Sequence, residues 1–91
     1  MSVTIEIPRF LQQYSGGSAC IAVHSTTVRA ALDEVKNEFP SLYQCICDET
    51  NGLRRHINIF VNNDVLRERI KLERKVKSGD VISIFQAVSG G

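Results

Sequence analysis

The sequence predicts a two-layer α+β domain in which one main helix packs on a mixed sheet of four to five strands. Two observations lead to this fold class: apolar residues alternate with period two in several separate segments, and they change to a helical period in one long segment. The predicted order is strand, strand, helix, strand, short strand, strand. Because a single amphipathic helix can cover one face of one sheet, we expect one domain with one core.

The first two strands are predicted to form a hairpin. Apolar and polar residues alternate over residues 3–7, and residues 19–23 form a second strand that we expect to return antiparallel to the first. Gly16-Gly17 lies between the two strands and is typical of a hairpin turn. Cys20 falls inside the second strand, where we expect a small core residue.

The main helix follows the second strand. Thr26 or Thr27 offers a side-chain oxygen to the open amide groups of the helix start, and Pro40 ends the helix. The apolar residues between them recur at helical spacing and place one stripe toward the core: Val28, Ala31, Leu32, Val35 and Phe39.

The second half of the chain is predicted to contain three more strands. Residues 41–47 could form a short helical turn, and residues 48–52 form a loop. Phe60 points to the opposite face of its strand from the alternating aliphatic residues around it. We expect the last strand to lie parallel to the first at the centre of the sheet. The strands cover residues 56–61, 65–66 and 81–88, with turns at 62–64 and 77–80.

Composition limits the classes of function. The 91 residues are 43% hydrophobic and 23% charged, which is ordinary for one soluble domain, and no apolar run is long enough to span a membrane. Residues 1–6 have neither a basic start nor an apolar targeting core, so we expect a cytoplasmic protein. A net charge of +1 indicates no particular polyanionic partner.

The residues that most often carry chemistry do not form a recognisable site. Cys20, Cys45 and Cys47 are odd in number and include no C-x-x-C pair, which favours reduced thiols over a disulfide framework. His24 and His56 lie at unrelated intervals, so we expect no metal site. No nucleophile stands at a recognised spacing from either histidine, and nothing nearby lowers a thiol pKa. We therefore expect no enzyme.

A basic segment and the glycines are the remaining candidates for a binding site. Residues 67–77 contain six Arg and Lys residues and two Glu residues, which could dock a polyanion or an acidic face of a partner protein. The segment has no aromatic residue for base stacking, so we expect no nucleic-acid binding and favour a solvated loop or a docking edge. Neither common phosphate-cradle motif occurs, which predicts no bound nucleotide cofactor.

The C-terminal residues have an unusual arrangement. The last strand leads into Gly90-Gly91, where no strand follows to complete a hairpin and no helix precedes to be capped. We interpret residues 1–88 as the domain and residues 89–91 as a flexible tail that carries the α-carboxylate. A carboxylate is a poor electrophile, so its chemical use requires activation, such as an acyl-adenylate made by a separate ATP-using enzyme.

Three stretches carry a resemblance to a known family: residues 3–8 with the later Gly16-Gly17, residues 57–62, and the terminal Ala87-Val88-Ser89-Gly90-Gly91. The chain resembles the ubiquitin-like β-grasp sulfur carriers of the MoaD/ThiS family, and its long connection over residues 48–55 is most similar to the CysO type. Gln86 stands where many members have proline, and Ser89 stands where alanine is common.

The resemblance implies a cycle at the C-terminus. An E1-like adenylyltransferase of the MoeB/ThiF type adenylates the Gly91 carboxylate, and a sulfurtransferase, a desulfurase or sulfide supplies the sulfur. The resulting thiocarboxylate serves an acceptor synthase, with a cysteine or homocysteine type of pathway favoured over molybdopterin or thiamine. Gly90 gives clearance in the enzyme's channel. Phe85 and Val88 are implied contacts with the activating enzyme, although Phe85 could equally be a strand-face aromatic.

Two other functions remain open from the sequence. A ubiquitin-like protein modifier would use the same activated Gly91 to form isopeptide bonds with lysines. A β-grasp interaction domain would use another surface, and deletion of Gly91 would then leave its function unchanged.

Overall fold

Five strands form one mixed sheet within residues 2–87, the residues that this computed structural model describes. The order across the sheet is β2-β1-β5-β3-β4, and the strands are β1 (Val3–Glu6), β2 (Cys20–Val23), β3 (Ile57–Val61), β4 (Asp64–Val65) and β5 (Val81–Gln86). Because helices pack on one face of this sheet, the predicted two-layer α+β class is confirmed.

The C-terminal strand β5 lies at the centre of the sheet. It pairs in parallel with β1, where Ile82 is opposite Ile5, and antiparallel with β3, where Ile84 is opposite Ile59. These four isoleucines are buried in the core. Their period-two spacing places them on one face, so the predicted central position of β5, parallel to β1, is confirmed.

The helical layer consists of α1 (Val28–Glu38) and α2 (Pro40–Ile46). The Oγ1 atom of Thr27 accepts a hydrogen bond from the backbone N–H of Ala30 at 3.0 Å, so Thr27 and not Thr26 caps α1. The helix α1 ends at Glu38 with Phe39 as its C-cap, so it stops before Pro40 as expected. Pro40 then occupies the first turn of α2, where its missing N–H costs no hydrogen bond. The predicted helical turn over residues 41–47 is a full second helix.

The prediction of a simple turn between β1 and β2 was incomplete. A 3₁₀ helix (Arg9–Tyr14) fills this connection, and Leu11 anchors it in the core. The glycines follow this helix with φ values of 65° at Gly16 and 85° at Gly17, and the Gly17 N–H donates to the Gln12 carbonyl at 2.8 Å. They therefore close the end of a helix, a position that requires left-handed backbone, instead of joining two strands directly.

The prediction that Cys20 is a core residue was wrong. Cys20 begins β2, in which exposed and buried residues alternate, and Ile21 and Val23 face the core. The side chain of Cys20 therefore lies on the open face of the sheet and is exposed.

The connection from β4 to β5 has no regular strand or helix, yet it is fastened to the domain. Leu66, Leu72 and Val76 are buried in the core, and the Thr26 carbonyl accepts a hydrogen bond from the Val76 N–H. Among the described residues, no helix is both long and apolar enough to cross a membrane.

Candidate functional site

The end of β5 fixes where the C-terminal residues leave the domain. Pairing with β3 continues to Gln86, which lies opposite Ile57, and the Ala87 N–H donates to the His56 carbonyl at 2.7 Å. The chain is thus held by backbone hydrogen bonds up to Ala87. The predicted site residues Val88, Gly90 and Gly91, and the proposed tail of residues 89–91, lie outside the described residues.

Phe85 lies on the face of the sheet that the helices leave open. Its side chain is 51% exposed, and its ring meets Phe60 edge to face with 5.2 Å between ring centroids. Phe60 lies on the opposite face of β3 from Ile59, as predicted. The two aromatic rings form one apolar surface, which we call the Phe60–Phe85 surface, and a strand-face aromatic of this exposure is free to contact a partner.

Polar groups border this surface. The hydroxyl of Ser83 donates to Glu6 Oε1 at 2.9 Å, and these residues line a shallow groove on the open face together with Cys20 and Phe85. On β3, Asn58 lies directly opposite Phe85, and its side-chain oxygen accepts a hydrogen bond from Arg69 at 3.0 Å. A partner that covers the aromatic rings would therefore meet a rim of hydrogen-bonding groups.

A second groove lies on the helical side of the sheet, beside the end of β5. Four exposed residues, Phe10, Tyr14, His56 and Gln86, line it together with half-buried Cys45. The 3₁₀ helix supplies both aromatic rings, so the sequence could not place them here without the fold. His56 is exposed at the entry to β3, as expected.

A polar cluster that the sequence did not predict joins α1, α2 and the following loop. Arg29 donates to the hydroxyl of Tyr43 at 2.6 Å and to the Asn51 carbonyl at 2.5 Å, and the Tyr43 hydroxyl donates to Asn51 Oδ1 at 3.0 Å. Burial raises the pKa of the neighbouring Cys47 thiol and also that of Tyr43. A thiol with a raised pKa is less ionised at neutral pH, and the hydrogen bonds of this cluster give it a structural role.

Metal-binding groups are not gathered in the described part of the chain. Within residues 2–87, no three His, Cys, Asp or Glu side chains are arranged to hold a metal ion. The cysteines illustrate the reason: Cys20 is on the open face of the sheet, whereas Cys47 is buried at the end of α2.

Comparison with known proteins identifies the family. The sequence profile of the ThiS family matches residues 5–91, which is nearly the whole chain. The chain belongs to the ThiS family. This membership confirms the resemblance drawn from the sequence, and it bears out the prediction that the chain is not an enzyme.

Relatives of this ThiS-family chain cover its full length. The sulfur carrier protein CysO of Mycobacterium tuberculosis is 28% identical over 93 residues, and the match spans 100% of both chains. CysO in the Amycolatopsis orientalis BexX/CysO complex is similar in structure, with a TM-score of 0.79, 32% identity, and coverage of 98% and 99% of the two chains. The small archaeal modifier protein 1 of Methanosarcina acetivorans has a TM-score of 0.82 at 25% identity, with coverage of 99% and 96%.

These likenesses confirm the ubiquitin-like β-grasp fold and the CysO type of the resemblance. They leave the roles of Gly91, Gly90, Phe85 and Val88 as predictions. Of these four predicted site residues, Phe85 is the one that lies within residues 2–87.

Proposed function

We propose that this ThiS-family chain is a sulfur carrier that holds sulfur as a thiocarboxylate on Gly91. The observation that carries the proposal is the ThiS-family match, which extends through residue 91. Full-length similarity to sulfur carrier protein CysO supports the same role. The scaffold is suited to it because β5 pairs with β1 as far as Ser83 and with β3 as far as Gln86, shortly before the C-terminal residues begin.

The chemistry follows from the weakness of a carboxylate as an electrophile. In the proposed reaction, an oxygen of the Gly91 carboxylate attacks the α-phosphorus of ATP and pyrophosphate leaves. Hydrosulfide then attacks the carbonyl carbon of the acyl-adenylate and AMP leaves, so the carbon–oxygen bond to AMP is replaced by a carbon–sulfur bond. ATP is a substrate of the partner enzyme, and the chain itself holds no cofactor.

The Phe60–Phe85 surface is the proposed contact for the activating enzyme, an E1-like adenylyltransferase of the MoeB/ThiF type. Phe85 is half exposed and lies five residues before Gly90 in the sequence, so an enzyme that receives Gly90 and Gly91 would cover it. Val88 would extend this contact. The CysO relative that was solved in a complex with BexX supports recognition of this fold by other proteins.

The proposed pathway is of the cysteine or homocysteine type, because CysO is among the relatives. A sulfurtransferase, a desulfurase or sulfide would load the chain, and an acceptor synthase would unload it. We also propose a cytoplasmic location, since Cys20, Cys45 and Cys47 are all free thiols.

The test is in vitro loading of the full-length chain. Incubation with a MoeB/ThiF-type enzyme, ATP and sulfide should raise the intact mass by the difference between one sulfur and one oxygen atom. Removal of Gly91 should abolish this change. Phe85→Ser should slow loading about tenfold, as expected when a buried interface aromatic is lost, whereas Phe10→Ser, an exposed aromatic away from the sheet face, should not. An unchanged terminal mass with an enzyme that loads CysO would refute the proposal.

A second function is favoured by one relative. The similarity to small archaeal modifier protein 1 supports a modifier that forms isopeptide bonds through Gly91. Both functions require adenylation of the Gly91 carboxylate, and they differ in the nucleophile that then attacks the acyl-adenylate. Mass analysis of the protein from its own cells separates them: a thiocarboxylate supports the carrier, and covalent conjugates on lysines of other proteins support the modifier.

A further inference from the structure

The most exposed large apolar side chain among the described residues is not on the sheet. Ile70 lies in the connection between β4 and β5 and is 72% exposed, compared with 51% for Phe85. A single exposed apolar residue is common in proteins and has no meaning alone. Two further features of this segment distinguish Ile70: the way its backbone is held, and the charges beside it.

The backbone around Ile70 is fastened from both sides. The Glu68 carboxylate accepts hydrogen bonds from the N–H groups of Ile70 at 2.8 Å, Lys71 at 2.5 Å and Glu73 at 3.1 Å. The Arg69 carbonyl accepts from the Leu53 N–H at 2.8 Å. Ile70 is therefore presented to solvent by an ordered loop, which lowers the entropic cost of using it in an interface.

A close backbone approach supports the same geometry. Gly52 is buried against the segment, and a Cβ atom there would lie 3.2 Å from the Arg69 carbonyl oxygen and 3.5 Å from the Cα atom of Ile70. Leu72, two residues beyond Ile70, is fully buried, and its carbonyl accepts a hydrogen bond from the Arg29 N–H at 2.8 Å. The loop thus buries the side chain of Leu72, whereas the side chain of Ile70 remains exposed to solvent.

The charges beside Ile70 are mainly positive. Arg67 and Lys71 are exposed on either side, and no ion pair within residues 2–87 involves either of them. The Glu68 carboxylate accepts hydrogen bonds from backbone amides. The Arg69 guanidinium donates hydrogen bonds to the Asn58 side chain and to the Arg54 carbonyl. We call Arg67, Ile70 and Lys71 the Ile70 surface.

We propose that the Ile70 surface docks a partner protein whose complementary face is an apolar contact surrounded by carboxylates. Burial of Ile70 would supply the apolar contribution, and Arg67 and Lys71 would pair with the acidic rim. This function does not require Gly91 and goes beyond the carrier reaction. A second copy of the chain is a poor occupant because two Ile70 surfaces would bring like charges together.

Other ligands fit this surface less well. Nucleic acid would find no aromatic ring for stacking in residues 67–77. A small anion would meet a neighbouring groove that three carboxylates line in addition to Arg67 and Arg74: those of Asp64, Glu68 and Glu73.

The experiment is an NMR titration of the ¹⁵N-labelled full-length chain. The probe is a synthetic amphipathic helical peptide with leucines on one face and glutamates around them, and the control peptide has lysine in place of glutamate. We expect saturable shifts confined to residues 67–71 and their contact at Leu53, and binding that weakens as salt is raised. Ile70→Ser should weaken binding about tenfold. Phe10→Ser, a change at an exposed apolar residue that shares no groove with residues 67–71, should have no effect.

Two substitutions test the apolar contact and the charge of the Ile70 surface separately. Ile70 is largely exposed, so its replacement should preserve the dispersed NMR spectrum, and Lys71→Glu should independently reduce binding of the acidic peptide. Absence of shifts, equal binding of the lysine peptide, or insensitivity to both substitutions would overturn the proposal. Tighter binding to anionic phosphatidylserine vesicles or to a single-stranded oligonucleotide than to the acidic peptide would also overturn it. None of these outcomes depends on loading of Gly91, so this proposal can fail while the carrier function stands.

Discussion

At the scale of single residues, the polar cluster around Tyr43 shows how a small domain stabilises a long connection. Tyr43 is largely buried in α2, yet its hydroxyl remains satisfied because Arg29 donates to it and Asn51 accepts from it. Asn51 adopts a left-handed backbone with φ of 68°, a conformation that asparagine tolerates better than most residues. The loop after α2 is therefore fixed by side chains from both helices.

The buried thiol in this cluster predicts a loss of stability at alkaline pH. Burial raises the pKa of Cys47 above its ordinary value of 9.0, so the unfolded chain loses this proton first as pH rises. The stability contribution is complete below pH 9.0 and is lost as pH approaches the raised value in the folded chain. Urea unfolding below and above pH 9.0 should show this decline, and Cys47→Ala should reduce it. An identical decline in the variant would contradict the assignment.

At the scale of elements, α1 begins with a capping hydrogen bond from a threonine side chain, and the sequence offers two adjacent threonines, Thr26 and Thr27, for this position. The side chain of Thr27 caps the helix by accepting from the Ala30 N–H. Thr26 is exposed and contacts Val76 through its backbone carbonyl only, among the hydrogen bonds found in residues 2–87. The position of the cap thus depends on the extended backbone at Thr27, with φ of −139° and ψ of 159°.

This pair of threonines gives a matched stability prediction. Thr27→Ala should lower the free energy of unfolding by about 1 kcal/mol, because one amide of the first turn loses its partner. Thr26→Ala should change it by less than about 0.5 kcal/mol, as usual for an exposed side chain. Urea denaturation of both variants measures the difference. Equal losses would show that Thr27 is not the energetic cap of α1.

At the scale of the whole molecule, β5 contributes to the core of the domain, and the proposed chemistry takes place on Gly91, beyond the end of this strand. The strand is hydrogen-bonded to β1 and β3, and its core residues Ile82 and Ile84 are buried. These contacts involve only residues before Val88. We therefore predict that the fold does not depend on the chemical state of the Gly91 carboxylate.

Removal of Gly90-Gly91 should accordingly leave the free energy of unfolding unchanged within about 0.5 kcal/mol, since all described pairing of β5 is retained. The same truncation should abolish sulfur loading. Thermal or urea unfolding and the intact-mass assay, applied to the same preparation, measure both results. A stability loss greater than about 1 kcal/mol would show that the last two residues contribute to the fold.

The sequence by itself determined the order of the five strands and the main helix, because the period of apolar residues is a local property that each segment carries in its own residues. The same periodicity placed Phe60 on the open face of the sheet, and the terminal residues suggested the family. Only the tertiary structure decided that Cys20 is exposed, that Gly16-Gly17 ends a 3₁₀ helix, and that Ile70 stands out on a fastened loop. The physical reason is that these outcomes depend on contacts between residues far apart in the chain, such as Arg69 with Leu53, which no local pattern encodes.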